Sequence, residues 1–527
     1  MKKFSPIMGL SALILFASSC KKDLQSDDLP NSALAYSARH GEKDPDVTFY
    51  ALGEGNKLDK FSMDNNGDLI ASATITGLGT SEKILAIDFR PATGQLYGLG
   101  SSSRIYVIDP KSGMARAIGS GPFTPLLAGT IAGFDFNPTV DRIRVVTSTG
   151  QNLRINPETG TVAAIDGNIN GAPNAMVTSV AYSNNVAGAA TTTLYDIDVK
   201  TDKLYRQNPP NNGTLEEIGS LNINLEGEGG FDIAPPTASD NAYSSSKNSG
   251  YSENTALAIY QVNRKSTLFS IDLNTGKAKK IDKFNRSTMY YGIAIATLPV
   301  AYAISATDLV IFNPNRTSNT IAKPITGLQS GEKLVGIDFR PVNGQLYGLG
   351  SNSRLYTINA SSGAASFVAA LSTPLMGTSF GVDFNPVVDR IRIVSNSGQN
   401  LRVNPKDGMT TVDGSLNPGT PSVSAAAYAN NFAGTTTTTL YVIDAAKDKL
   451  YIQNPPNAGA LSVVGDLGIN VDANNGFDIG GTSNMAYGLF TVSGKTRIYN
   501  IDINNGRAKA GGDLPGQIAG FTLGLGF

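Results

Sequence analysis

The chain has 527 residues, 41% of them hydrophobic, with 57 glycines, 26 prolines and a formal net charge of −1 from 42 basic and 43 acidic residues. That length suits two or three domains with real cores, and the balanced charge lacks the basic footprint of a nucleic-acid binder. One cysteine, one histidine and no tryptophan exclude internal disulfides, Cys/His zinc centres and the common Ser-His-Asp or Cys-His catalytic sets, unless built on His40 in its polar N-terminal stretch.

The chain opens with "MKKFSPIMGLSALILFASSCKKD": Lys2 and Lys3, an apolar run from Ile7 to Ala17, small residues Ser18 and Ser19, then Cys20. The run is too short to span a bilayer as a helix. It resembles a bacterial lipoprotein signal, which implies removal of residues 1–19 and lipidation of Cys20; Ala17 stands where that signal more often has leucine. Residues 20–46 are polar and without period, a flexible tether behind the lipidated cysteine. Lys and Asp directly after the cysteine resemble the tethers of Bacteroidota lipoproteins. That implies a cell-envelope protein of the outer membrane, periplasmic or surface-exposed, whose lipid makes the membrane a partner.

From residue 47 a shorter rhythm takes over. Residues 47–78 supply three candidate strands, and "ILAIDFRP", "QLYGLGS", "SRIYVIDP" and "ARAIG" supply four more, joined by tight turns. The grammar returns in "IAGFDFNP" through "TVAAIDG", in "VTSVAYSN" through "GTLEEIG", and in "GGFDIAP" through "TGKAKKID". Four short strands in every roughly 40–50 residues are the signature of propeller blades, which bury both faces only when packed around an axis. The strand missing from the first unit appears as "YYGIAIAT" (290–297). In the second half "VAYAISATDLVIFNPN" opens an incomplete unit that "IAGFTLGLGF" (518–527) completes.

The expected fold is therefore all-β: two tandem five-bladed β-propellers, residues 47–298 and 299–527, each with one blade split between its ends so that no edge is left open. The joint "IAIATLPVAYAI" also reads as an inner hairpin, so a single ten-bladed ring is the alternative. Turns "DPKSG" (109–113), "NPETG" (156–160), "DLNTG" (272–276) and "DINNG" (502–506) begin with Asp or Asn and end with Gly, the pattern of a tight hairpin. "DNNGD" (64–68) carries Asp64, Asn66 and Asp68 but lacks the glutamate of a calcium loop, so turn chemistry is preferred there.

The two halves repeat one another closely: "DFRPATGQLYGLGSSSRIY" (88–106) and "DFRPVNGQLYGLGSNSRLY" (338–356) agree at fifteen of nineteen positions. With "FDFNPTVDRIRVVTSTGQNLRINP" and "TTTLYDIDVKTDKLYRQNPPNNGTL", and their second-half counterparts, these strings resemble a family of secreted bacterial proteins called domain of unknown function 4394. Two copies cover nearly everything after residue 46. The resemblance implies no activity, and no catalytic residues come with it.

Two constellations carry whatever chemistry there is. The inner strands repeat an acid: Asp88, Asp135 and Asp232, then Asp338, Asp383 and Asp478. The corresponding positions of the other blades are read as Tyr182 and Ala294, and as Tyr428 and Leu523. The expectation is structural: each acid pairs with a nearby arginine (Arg90, Arg142, Arg144; Arg340, Arg390, Arg392) or caps a backbone turn between blades. No cofactor is expected; calcium held by the six acids is the alternative, as is glycoside hydrolysis by a carboxylate pair. The second constellation is polar and lies beside Tyr205 and Tyr451: Gln151, Asn152, Arg154, Gln207 and Asn208, matched by Gln399, Asn400, Arg402, Gln453 and Asn454. Planar amides beside an aromatic face suit a sugar; turn-setting amides bonded to loop carbonyls are the structural reading and are preferred. The function expected is a non-enzymatic binding or scaffold lipoprotein for a glycan or a protein, with a glycan-processing hydrolase as the alternative.

Overall fold

The alternating segments become ten four-stranded antiparallel sheets in a computed structural model that describes residues 47–63, 68–236, 255–284 and 288–527. Cys20, the signal and the tether lie outside the described residues, as do Asp64 and Asn66. One blade shows the pattern: Ile84–Phe89 innermost, then Leu96–Gly100, Arg104–Ile108 and Ala115–Ile118 at the rim. Its last turn behaves as the residues dictate. Asp109 Oδ1 accepts from the Lys111 amide at 2.9 Å, and Gly113 takes φ +76°, where a side chain would be strained. Short 3₁₀ turns occur at Pro210–Asn212 and Pro456–Ala458. Among the described residues no helix is long and apolar enough to cross a membrane.

Two blades are assembled from distant pieces. Tyr290–Ile295 forms the inner strand of the sheet that begins with Thr48–Gly53, and Ala519–Leu523 does the same beside Ala301–Ile304. The inner strands then pack in a cycle: Ile84–Phe89, Ala132–Asn137, Val177–Tyr182, Glu226–Ile233, Tyr290–Ile295 and back to the first. A second cycle runs Leu334–Arg340, Phe380–Asn385, Val423–Tyr428, Asn475–Ile479, Ala519–Leu523. The blades thus form two rings of five, each sheet staying separate and the ring held by packing. The ten-bladed alternative is not what the chain adopts. Side chains of neighbouring blades share cores; Tyr97 and Leu99 of one blade pack with Phe134, Phe136 and Ile143 of the next. Near the axis there is room for backbone only. A Cβ on Gly133 would stand 2.6 Å from the Val180 nitrogen.

The rings also pack on each other. Ala92 and Ala187 of the first join a core with Val300, Tyr302, Ile304 and Ile311 of the second. Polar contacts border it: Tyr302 Oη donates to the Ala92 carbonyl (2.8 Å), the Gly526 amide to the Thr93 carbonyl (2.8 Å), and Asn343 Nδ2 to the Glu158 carbonyl (3.2 Å). The Phe527 ring lies over Gly94, where a Cβ would come within 2.4 Å of it.

Candidate functional site: the carboxylates at the centre of each ring

The repeated acids meet. In each ring one carboxylate oxygen from each of three residues lies within 4.8 Å of the others: Asp88, Asp135 and Asp232 in the first, Asp338, Asp383 and Asp478 in the second. All six side chains are buried. Each reaches across to the next blade. The Phe136 amide donates to Asp88 Oδ2 (2.8 Å), the Tyr182 amide to Asp135 Oδ1 (3.1 Å), and the Ile295 amide to Asp232 Oδ2 (2.5 Å). Asp88 and Asp232 also accept the amide of the following residue, Phe89 at 2.7 Å and Ile233 at 2.6 Å. The second ring repeats the pattern with Phe384 (2.7 Å), Tyr428 (3.1 Å) and Leu523 (2.6 Å).

These bonds correct the sequence alignment of blades. The amide received by each acid belongs to the residue after the acid's own level, so the acid-equivalent positions are Ala181, Ala294, Ala427 and Thr522. Tyr182, Tyr428 and Leu523 stand one place further on, at the level of Phe89 and Phe136. The alignment slipped because Tyr182 and Tyr428 are the large residues of their strands, and they take the core role that Phe89 and Phe136 take elsewhere. The centres of the rings therefore differ at one point. In the second, Thr522 Oγ1 lies 2.9 Å from Asp338 Oδ1 and 3.0 Å from Asp478 Oδ2, linking the split blade to both neighbours; the first has Ala294 there.

Three carboxylates this close cannot all ionise out of water. Burial pushes Asp88 well above the usual carboxylate range, and the Asp232 charge adds to it; Asp135 is raised by burial and then by Asp88 and Asp232. Asp232 is pushed up to about 7 by burial, against the Ile295 and Ile233 amides that favour its charged form. Asp338 and Asp383 follow Asp88 and Asp135, and Asp478 is again raised to about 7 by burial. The triad can hold shared protons, or a hard cation that takes oxygen ligands. Backbone N–H groups already point at both oxygens of Asp88 and of Asp232, so either occupant shares those carboxylates with the backbone. Glycoside hydrolysis needs carboxylates about 5–10 Å apart with a sugar between them, and these acids are closer than that and buried.

The expected Asp–Arg pairing is not found within the triads. The arginines take other acids. Arg90 binds Asp141 (Nε–Oδ1 2.8 Å, Nη2–Oδ2 2.5 Å) and Glu158, and Arg340 binds Asp389. Burial works against the charge of Arg90, but Asp141 and Glu158 outweigh it and raise its pKa well above the ordinary value. Arg144 and Arg392 sit at blade junctions. Arg144 donates to Asp166 (2.6 Å), Asn152 (2.7 Å) and Asn211 (2.8 Å), and Arg392 to Asp413 (2.7 Å), Asn400 (2.7 Å) and Asn457 (2.8 Å). Arg142 and Arg390 donate to the backbone carbonyls of Asp141 and Asp389. The triads tie backbone to backbone instead, so the other half of the expectation, bonding between blades, describes them.

The amide constellation is drawn into the same junctions. Asn152 Nδ2 donates to the carbonyls of Gly167 and Pro210, both at 3.0 Å, and Asn400 repeats this with Gly414 and Pro456. Arg154 and Arg402 fork onto Asp166 and Asp413. Gln151 and Gln399 hold the loops at Leu126 and Pro374. Gln207 and Gln453 bond the carbonyls of Pro210 and Pro456. Asn208 reaches Glu216, and the Asn454 amide bonds the Ala460 carbonyl. These groups bond the protein's own loops. Sequence reasoning missed the partners Asp141, Asp166, Asn211 and Glu158. Their signal was present: "VDRIR" and "NPPN" recur in both halves, but nothing in one strand shows which residue of the next it meets. It also missed Asp196, fully buried on Leu194–Asp198 with neither oxygen hydrogen-bonded; the second ring has Val442 there.

Residues 57–294 and 308–522 each match the model of a family described as Domain of unknown function (DUF4394). No curated protein matches the chain. Among solved structures, the chain is similar to the extracellular domain of a hybrid two component system, BT4673, from B. thetaiotaomicron, at 10% identity and TM-score 0.25, covering 89% of this chain and 72% of that one.

Proposed function

This chain belongs to the DUF4394 family, one copy in each ring, and from that premise we propose that it is a cell-envelope lipoprotein acting as a non-enzymatic binding scaffold for a glycan or a protein. The reading is carried by the fate of the six repeated acids. They are buried, clustered and bonded to the backbone of the next blade, so they fasten a frame and leave recognition to its outer surfaces. Two rings packed through a shared core hold those surfaces at fixed separation, which favours a large or repetitive target. Anchoring rests on Cys20 and the apolar run before it. The protein is then held by lipid at the outer membrane, periplasmic or surface-exposed.

The test uses residues 21–527 in affinity gels cast with a panel of soluble polysaccharides, alongside an assay for released reducing ends. Retention without release is expected for a glycan scaffold. Release abolished by Asp135→Asn would establish the hydrolase instead. Absence of both, with protein neighbours crosslinked to the native lipoprotein in cells, assigns a protein ligand. For the anchor, Cys20→Ser should move the protein out of the membrane fraction; if it stays there unchanged, the lipoprotein reading fails. The second reading, calcium at the triads, is favoured only by the convergence of three carboxylates, and calcium dependence of the melting curve decides it.

A further inference from the structure

One latch between neighbouring blades recurs in both rings. In the first, Asn170 lies on the loop after strand Val162–Ile165. Its Nδ2 donates to the carbonyls of Asn168 (2.9 Å) and of Asn212 (2.7 Å), the latter on the 3₁₀ turn of the next blade. Its backbone is held by that blade too, the amide by the Gly213 carbonyl (2.8 Å) and the carbonyl by the Leu215 amide (2.9 Å). In the second ring Asn417 Nδ2 donates to the carbonyls of Ser415 and Ala458, both at 2.9 Å, and its backbone is bonded to Gly459 and Leu461. The latches differ in the residue that follows: Gly171 after Asn170, Pro418 after Asn417.

That difference decides what each latch can become. A backbone nitrogen that loses its proton can attack the carboxamide carbon of the asparagine before it. Glycine, without a Cβ, obstructs this least, and a proline nitrogen has no hydrogen to lose. Five Asn–Gly pairs lie among the described residues, and four of them are guarded. The amides of Gly213, Gly344 and Gly506 donate to the carbonyls of Pro210 (3.2 Å), Arg340 (2.9 Å) and Asp502 (2.7 Å). Asn475 is buried on an inner strand, its Nδ2 on Ser424 Oγ and the Asp472 carbonyl, both at 2.9 Å. Gly171 is exposed, and among the described residues its amide has no hydrogen-bond partner.

We propose that Asn170 is a site of spontaneous deamidation, a covalent change that opens this latch in the first ring alone. The Gly171 nitrogen gives its proton to hydroxide and bonds to Asn170 Cγ. The Cγ–Nδ2 bond breaks, and Nδ2 leaves as ammonia with a proton from water. A second water opens the cyclic imide, at the new N–Cγ bond to give aspartate or at the old peptide bond to give isoaspartate. Nothing is oxidised or reduced; asparagine and water become aspartate and ammonia. The first step requires the carboxamide to release Asn168 and Asn212, and both bonds lie at the surface, where water replaces them when the loop opens. Aspartate then sets a carboxylate where a donor faced two carbonyl oxygens. Isoaspartate reroutes the chain through Cβ and displaces the carbonyl that holds Leu215.

Peptide mapping of residues 21–527, incubated at mildly alkaline pH in heavy-oxygen water, tests this. Asn170 should be the first of the five to convert, to a mixture of aspartate and isoaspartate carrying the heavy oxygen, while Asn417 stays asparagine. In urea the five sites should convert at similar rates, because the fold no longer guards four of them. The aged protein, and Asn170→Asp made directly, should both melt below fresh wild type. The proposal is overturned if Asn170 stays unconverted or any of the other four precedes it. It is overturned equally by an order of conversion that urea leaves unchanged, or by a converted protein that melts with fresh wild type.

Discussion

The guanidinium of Arg90, in the first ring, donates to the carbonyl oxygen of Gly344, in the second, while also holding Asp141 and Glu158. Removing it leaves buried Asp141 without its cation and Glu158 with only Arg142, 3.9 Å away. Arg90→Ala should cost about 3–5 kcal/mol, the usual penalty for breaking a buried pair. Arg340→Ala should cost less, because Asp389 is partly in water and Lys406 stands where the first ring has Glu158. Urea midpoints for the two variants check this; equal losses would contradict the hub role of Arg90.

The two rings should melt together. Each covers apolar surface of the other, with Ala92 and Ala187 packed against Tyr302 and Ile311. Residues 47–298 and 299–527 expressed apart should each show β structure but melt below the whole chain, and mixing them should recover part of the difference. Fragments that melt as high as the intact protein would show that the shared core contributes nothing.

Asp196→Val should stabilise the protein, by about 1–3 kcal/mol, the penalty of an unsatisfied buried polar group. The second ring already carries Val442 at that position and supplies the packing template. Burial raises the Asp196 pKa well above 3.8, with Arg144 opposing. The folded state therefore binds the extra proton, and wild-type stability falls relative to the variant as pH rises above the unfolded value. Melting curves at acid and neutral pH show whether the gap widens upward, as expected, or closes.

The triads predict the same sign on a larger scale. Their carboxyls have raised folded pKa values, Asp232 and Asp478 about 7 against an ordinary 3.8, so the folded state binds more protons than the unfolded one between those limits. The triads' contribution to stability is complete below about pH 4 and declines toward neutrality, by up to about 1.4 kcal/mol per carboxyl for each pH unit crossed. Asp135→Asn and Asp383→Asn keep an oxygen for the Tyr182 and Tyr428 amides and remove a like charge. Both should flatten this decline and be at least as stable as wild type at pH 7. Curves with calcium and with chelator should coincide. A calcium-dependent gain in wild type, lost in Asp135→Asn, would replace shared protons with a bound cation.

Strand positions, split blades and turns were legible because each depends on local pattern: alternation in "ILAIDF", an Asp-to-Gly turn in "DPKSG". The convergence of Asp88, Asp135 and Asp232 was half legible. Their recurrence in successive blades placed them at one level, but whether they faced arginine or one another depends on the axis, which no single blade contains. Ring count was ambiguous because "TLPV" joins strands Tyr290–Ile295 and Ala301–Ile304 as a hairpin would, whereas their partners come from opposite ends of two rings. The packing between rings was invisible, since Arg90 and Arg340 lie in nearly identical strings and only the fold gives Arg90 a partner, Gly344, in the other ring.

The closing strands also set a timetable. Phe49 finds its partner Ile295 only after almost the whole first ring has been made, and Ala301 waits likewise for Leu523. Such long-range pairing is slow to form because the loop it closes is long. Until it forms, Thr48–Gly53 offers an unpaired inner edge to any other strand nearby. The second ring bears the heavier dependence. Residues 519–527 supply its last inner strand, the Thr522 link to Asp338 and Asp478, and the Phe527 ring that lies on the first ring at Gly94. A chain cut short by those nine residues therefore loses a ring closure and part of the seam between rings together, and a tag fused directly after Phe527 must leave through that seam.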